Sequence, residues 1–148
     1  MIKQLKFQRL LAMIYLGAAL GIVHFWWQFF SGNLFSIEEL ALLMPHFQGY
    51  YLWERSFVVP DLILAFSMLC SALLLWFDRF MDKGRVIAAA SAGAALFLGV
   101  LDLSYGFSSG LYEVQHSFAE VVLEAGISIT AVGLIALLIL LLMPNKVD

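Results

Sequence analysis

Five ionisable side chains crowd into one stretch, LDLSYGFSSGLYEVQHSFAEVVLE, between Leu101 and Glu124: Asp102, Glu113, His116, Glu120 and Glu124. The segments on either side are apolar and almost free of charge. Ionisable groups at the edge of a hydrocarbon layer are costly and mark functional positions. Two more groups have similar surroundings: Asp61 in SFVVPDLILA, and His24 in an apolar run that ends FWWQFF. Carboxylates and an imidazole held together can bind a cation, a metal or a basic ligand. Neighbouring carboxylates can also divide acid and base roles between them. Histidine with carboxylates suits zinc, iron or manganese. The chain has no HExxH and no repeated ExxH, however, so the sequence specifies neither a metal nor a cofactor. The same groups also have structural uses, as helix caps and as polar pins that fix helix register.

The elements that must position these groups are membrane helices. Of the 148 residues 63% are hydrophobic and only 13% charged, and the mean hydropathy is +0.93. A soluble domain is nearer half apolar and one quarter charged. Four long apolar runs predict helices over about 10–30, 57–77, 86–107 and 118–143, forming a single transmembrane domain over 1–148. The lipid bilayer is the first partner. A net charge of −3, spread unevenly, argues against a nucleic-acid partner. The first run follows Lys3, Lys6 and Arg9 like a signal peptide, but it is too long and has no small-residue cleavage site, so an uncleaved helix is expected. Cys70 is the only cysteine and reads as a small buried apolar residue.

Orientation follows from the basic residues. Lys3, Lys6, Arg9, Arg79, Lys83, Arg85 and Lys146 fall on one side and only Arg55 on the other. The positive-inside rule then places both termini in the cytoplasm. The fold class is an all-α integral membrane four-helix bundle, N-in and C-in, with a short interfacial helix in the first outer loop, residues 31–56. Ser36 with Glu39 marks the start of that helix and Pro45 its end. His46 reads as a loop histidine, and Phe47, Tyr50, Tyr51 and Trp53 as an aromatic belt. Ser117 with Glu120 predicts a capping box for the fourth helix.

Helical spacing sorts the faces. Gly17, Gly21, His24 and Gln28 share one face, with Gly17 and Gly21 a GxxxG pair expected to pack closely against another helix. Ala88, Ala92, Ala95, Gly99, Asp102 and Gly106 form a small-residue stripe that carries Asp102 into the bundle, with Tyr105 within helical reach of it. At 1.5 Å per residue, Asp61 and Asp102 both stand about 24 Å above the inner boundary, His24 about 21 Å and Glu124 about 28 Å, in a layer about 30 Å thick. The expected outward-facing site is therefore His24, Asp61, Asp102 and Glu124, with Tyr105, Glu113, His116 and Glu120 at its mouth.

Such a site fits a protein that binds or transports a cation or a small basic or amphipathic ligand. One alternative is a membrane-embedded enzyme that modifies a lipid by isomerase- or hydrolase-like acid–base chemistry. Another is an accessory subunit, or a homo-oligomer, whose small-residue faces pack against a partner.

The segments SFVVPDLILA and LDLSYGFSSGLYE resemble those of small bacterial four-helix membrane proteins of unassigned function, over the last three helices. That resemblance implies the topology and the importance of Asp61, Asp102 and Gly110, and nothing more. The expected location is the cell membrane, as a multi-pass protein of a bacterial inner membrane. In helix count and in polar groups near helix ends, the layout also resembles the emopamil-binding protein family of sterol isomerases and ligand-binding membrane proteins. No motif is shared with that family, so it lends no catalytic residue.

Overall fold

A computed structural model of the chain describes residues 2–34, 38, 41–42, 47–77 and 80–143. The described residues are helical apart from short turns: α1 (Ile2–Ser31), α2 (Phe47–Ser56), α3 (Val58–Trp76), α4 (Met81–Ser108), a 3-10 turn at Leu111–Glu113, and α5 (Ser117–Leu142). Four stretches are long and apolar enough to cross a membrane: Leu5–Ser31, Gly49–Trp76, Met81–Ser108 and Ser117–Leu142. Large side chains such as Leu20, Phe66, Leu73, Phe97 and Leu138 stand exposed around the bundle, where lipid rather than water is the natural neighbour. These features define a multi-pass helical membrane bundle.

Three helix starts differ from the sequence reading. Helix α1 begins at Ile2 rather than near Leu10, because the basic residues Lys3, Lys6 and Arg9 continue the helix inward of the apolar run. Residues 47–56, expected in a loop, form α2, which runs almost unbroken into α3. The amide of Phe57 donates to the carbonyl of Glu54 at 2.9 Å, and that of Asp61 to the carbonyl of Phe57 at 2.9 Å, so the chain keeps its helical course. The second membrane segment thus starts near Gly49 rather than at Phe57. Helix α4 begins at Met81, not near Val86, because Asp82 suits the first turn and Gly84 packs against Leu75 of α3. The Ser36–Glu39 box, Pro45 and His46 lie outside the described residues.

Around the bundle the order is α1, α3, α4, α5, each antiparallel to the next. Contact is densest between α4 and α5 and sparse between α1 and α5. The α4–α5 seam uses the expected stripe: Ala88, Ala92, Ala95 and Gly99 are buried. A Cβ on Gly99 would strike Thr130 and Ile129, and one on Gly133 would meet Leu96 and the carbonyl of Ala92. Small residues here let backbones approach. Polar pins fix the registers. Tyr15 donates its hydroxyl to the carbonyl of Ala88 at 2.6 Å, Ser71 donates to the carbonyl of Gly84 at 3.1 Å, and the Ser67 and Ser91 hydroxyls pair at 2.6 Å.

Two apolar clusters divide the interior. The inner one holds Leu11, Tyr15, Leu64, Met68, Leu75 and Ile139. The outer one is aromatic, with Trp26, Phe29, Tyr50, Phe57 and Phe118 around Leu111. The turn between α4 and α5 depends on Gly110, whose φ of 72° is the left-handed conformation that side chains disfavour. The cap of α5 is His116 rather than the expected Ser117: its Nδ1 accepts from the amide of Phe118 at 3.1 Å, and Ser117 is already the first helical residue.

Candidate functional site

A cavity of about 330 Å³ lies between the two clusters, walled by α1, α3, α4 and α5 and by the end of α2. Glu54, Asp61 and Asp102 all line it. The rest of its wall is apolar or small, including Phe25, Phe57, Leu98, Ile129 and Val132. No lysine, arginine or histidine lines it among the described residues.

Each carboxylate is delivered by a definite local feature. Tyr50, Glu54, Phe57 and Asp61 follow helical spacing along α2 and the start of α3, so Glu54 and Asp61 share one face across the Phe57 junction. Glu54 is only 4% exposed and accepts a hydrogen bond from the Tyr50 hydroxyl at 3.0 Å. Asp61 accepts from the indole N–H of Trp26 at 3.1 Å. Asp102 lies on α4 against Gly126 of α5, where a Cβ would come within 3.1 Å of its Oδ2. The three groups are close enough for their charges to interact. No side chain hydrogen bond to Asp102 occurs among the described residues, and none of the three carboxylates has a basic partner there.

Asp61 and Asp102 converge as expected, but not at one depth. The Ser67–Ser91 pair sets the α3–α4 register. Counting outward equally on both helices brings Asp61 level with Phe97, so Asp102 stands about 7 Å further out.

His24 and Glu124, the other two expected members, are exposed and do not line the cavity. His24 pairs with Gln28 at 2.6 Å, one turn along α1. Glu124 belongs to the outer face of α5, while its neighbours Ala125 and Gly126 turn inward.

The residues expected at the mouth instead stand around a roof. Tyr105 stacks on Trp53 with ring centres 4.2 Å apart and on Tyr50 at 6.0 Å. His116 caps α5. Glu113 and Glu120 are exposed, Glu113 in the 3-10 turn and Glu120 in the first turn of α5. Beneath this turn the Tyr112 ring packs on Gly106, leaving no room for a Cβ there. Burial raises the Tyr112 phenol above its ordinary range, and the nearby charges of Asp102 and Glu54 push the same way.

Gly17 and Gly21 also depart from expectation. Both line the cavity and both are exposed, with nothing within 4 Å of where a Cβ would stand. They are not a close-packing face within the bundle.

Among the described residues no group of three or more His, Cys, Asp and Glu is arranged to hold a metal ion. Comparison with family models, curated proteins and solved structures finds no match. The cavity is therefore the feature from which function is read.

Proposed function

We propose that this protein binds an organic cation with an apolar body, holding the positive centre among Glu54, Asp61 and Asp102. The observation that carries this reading is a mostly apolar cavity, lined by three carboxylates and by no basic side chain among the described residues. A buried anion is costly unless it is paired; no basic side chain among the described residues lines the cavity, and a bound cation would supply the partner. Phe25 and Phe57 line the wall, and aromatic rings attract cations. The volume suits a small organic ligand.

Binding is favoured over conduction. Inward of the cavity the core is closed by Leu11, Tyr15, Met68 and Leu75, all at most 1% exposed. With the basic residues facing the cytoplasm of a bacterial inner membrane, the carboxylates belong to the outer half of the bilayer.

The test is thermal unfolding of the protein in lipid nanodiscs with dodecyltrimethylammonium or dodecanol at equal membrane concentration. The ammonium should raise the melting temperature and the alcohol should not. A ligand at one hundred times its Kd stabilises by about 2.7 kcal/mol. Asp102→Asn should remove most of that shift. Equal shifts from the cation and the alcohol would reject the reading.

A further inference from the structure

We propose that the ligand is a single-chain amphiphile that enters sideways from the bilayer between α1 and α5, its tail crossing Gly17 and Gly21. This rests on the cation-binding reading above and adds the ligand class and the route.

The bundle has one loosely closed seam. Helices α1 and α5 touch little, while the other neighbouring pairs are closely packed. The cavity reaches that seam from both sides, through Gly17, Gly21 and Ile22 on α1 and through Ala125, Ser128 and Val132 on α5. Gly17, Gly21 and Ser128 are at once cavity-lining and exposed, so they form its rim.

The glycines separate into two kinds. A Cβ on Gly99, Gly126 or Gly133 would come within 3 Å of a neighbouring helix, whereas one on Gly17 or Gly21 would meet nothing within 4 Å. Close helix packing accounts for the first group and not for the second. The rim glycines lie near the middle of the Leu5–Ser31 span, and Ser128 near the middle of Ser117–Leu142, so the gap opens at the depth of the acyl chains.

The aqueous end is built differently. Tyr50, Trp53 and Tyr105 stack, with Phe118 edge-on to Tyr50, and this aromatic group covers the carboxylates from the outer side. A ligand that reached Asp61 and Asp102 from water would have to part this stack, while a chain already in the bilayer meets two glycines. The carboxylates lie at the outer end of the cavity and Gly17 and Val132 at its inner end. That polarity matches a charged head followed by a hydrocarbon chain. A cavity of about 330 Å³ takes a head and the first part of one chain, and the remainder lies in the seam.

The experiment compares hexyl- and dodecyltrimethylammonium on wild type, Gly17→Leu and Gly21→Leu in nanodiscs. The readout is the variant-to-wild-type ratio of Kd at each chain length, which cancels partitioning into the lipid. Open space at both positions lets leucine be accommodated, and an unchanged melting temperature without ligand verifies folding. Dodecyltrimethylammonium should bind the variants about tenfold more weakly, which corresponds to about 1.4 kcal/mol, and the hexyl compound, whose shorter chain makes less contact with the two glycines, should be weakened clearly less.

A second measurement uses a dodecyltrimethylammonium with a diazirine in mid-chain. It should cross-link to peptides containing Ile22 or Ser128 and not to the Tyr105–His116 segment. Equal weakening of both chain lengths, no weakening, or cross-linking at the roof would overturn lateral entry. So would a ligand-free wild-type dimer that Gly21→Leu converts to monomer, since the seam would then be a helix-docking face. If dodecanol competes as well as the ammonium, the cation site itself fails. If the preference for charge persists without a chain-length effect, only the lateral route fails.

Discussion

The indole N–H of Trp26 donates to the carboxylate of Asp61 at 3.1 Å, a bond that ties α1 to α3 at the outer end of the cavity. Among the described residues it is the one side-chain hydrogen bond from α1 to the three carboxylates, and it holds α1 beside the seam. Trp26→Phe keeps an aromatic body and deletes the donor. Hydrogen bonds to charged groups contribute about 1.5–3 kcal/mol. Thermal unfolding in detergent should show a loss of that order, together with weaker alkylammonium binding. Wild-type stability in Trp26→Phe would mean the bond does not hold the helices.

Asp61 and Asp102 reach the same cavity from neighbouring helices, within electrostatic reach of one another. Their substitutions should therefore be coupled. Asp61→Asn and Asp102→Asn should each weaken dodecyltrimethylammonium binding. The double variant should cost less than the sum, by about 0.5–3 kcal/mol, the range seen for residues in contact or in one network. Additive effects in the double-mutant cycle would mean the two groups act at separate places.

The two kinds of glycine make opposite predictions for one methyl group. Gly99→Ala would push a Cβ against Thr130 and Ile129 in the α4–α5 seam, and overpacking of this kind costs about 1–3 kcal/mol. Gly21→Ala adds a methyl to open space and gains helix propensity, worth up to about 1 kcal/mol. Melting temperatures in detergent should thus fall for Gly99→Ala and hold or rise for Gly21→Ala. A fall at both positions would restore the close-packing reading of the GxxxG pair.

The sequence made some of this legible and hid the rest for identifiable reasons. Apolar runs long enough to span a bilayer announced the four helices. The stripe from Ala88 to Gly106 announced the α4–α5 seam, because close packing demands small residues at helical spacing. Asp61 and Asp102 stood out as lone charges in apolar surroundings. Glu54 did not, because Arg55 and Ser56 beside it look like the end of a loop. Its signal was the continuation of the α3 face outward, Met68, Leu64, Asp61, Phe57, Glu54, Tyr50, each three or four residues apart. His24 and Glu124 were assigned by depth, which says how far along a helix a group lies but not which way it faces. The open space at Gly17 and Gly21 was hidden because a GxxxG pair looks the same in a closed interface and beside a gap.

Orientation decides which leaflet supplies the ligand. Seven of the eight basic residues fall on one side and Arg55 on the other. A reporter fused after Asp148 should be cytoplasmic, and a tag at Gly32, where α1 ends in a left-handed turn, should be accessible from outside. An external C-terminus would invert the protein and move the carboxylates to the inner leaflet.

Glu54 and Glu124 separate what depth suggests from what the fold delivers. Glu54 is buried, bonded to Tyr50 and in the cavity wall, whereas Glu124 is exposed on the outer face of α5. Glutamine at position 54 keeps the size and the acceptor for the Tyr50 hydroxyl but cannot ionise to pair with a cation. Glu54→Gln should therefore fold normally and bind dodecyltrimethylammonium at least about tenfold more weakly, because one of the carboxyl groups able to pair with the cation is gone. Glu124→Gln should leave the affinity within about twofold, since an exposed group makes little difference to a buried one. Titration of both variants in the same nanodiscs checks the pair. If Glu124→Gln abolished binding and Glu54→Gln did not, the ligand would sit on the outer face of α5 and the cavity would lose its role.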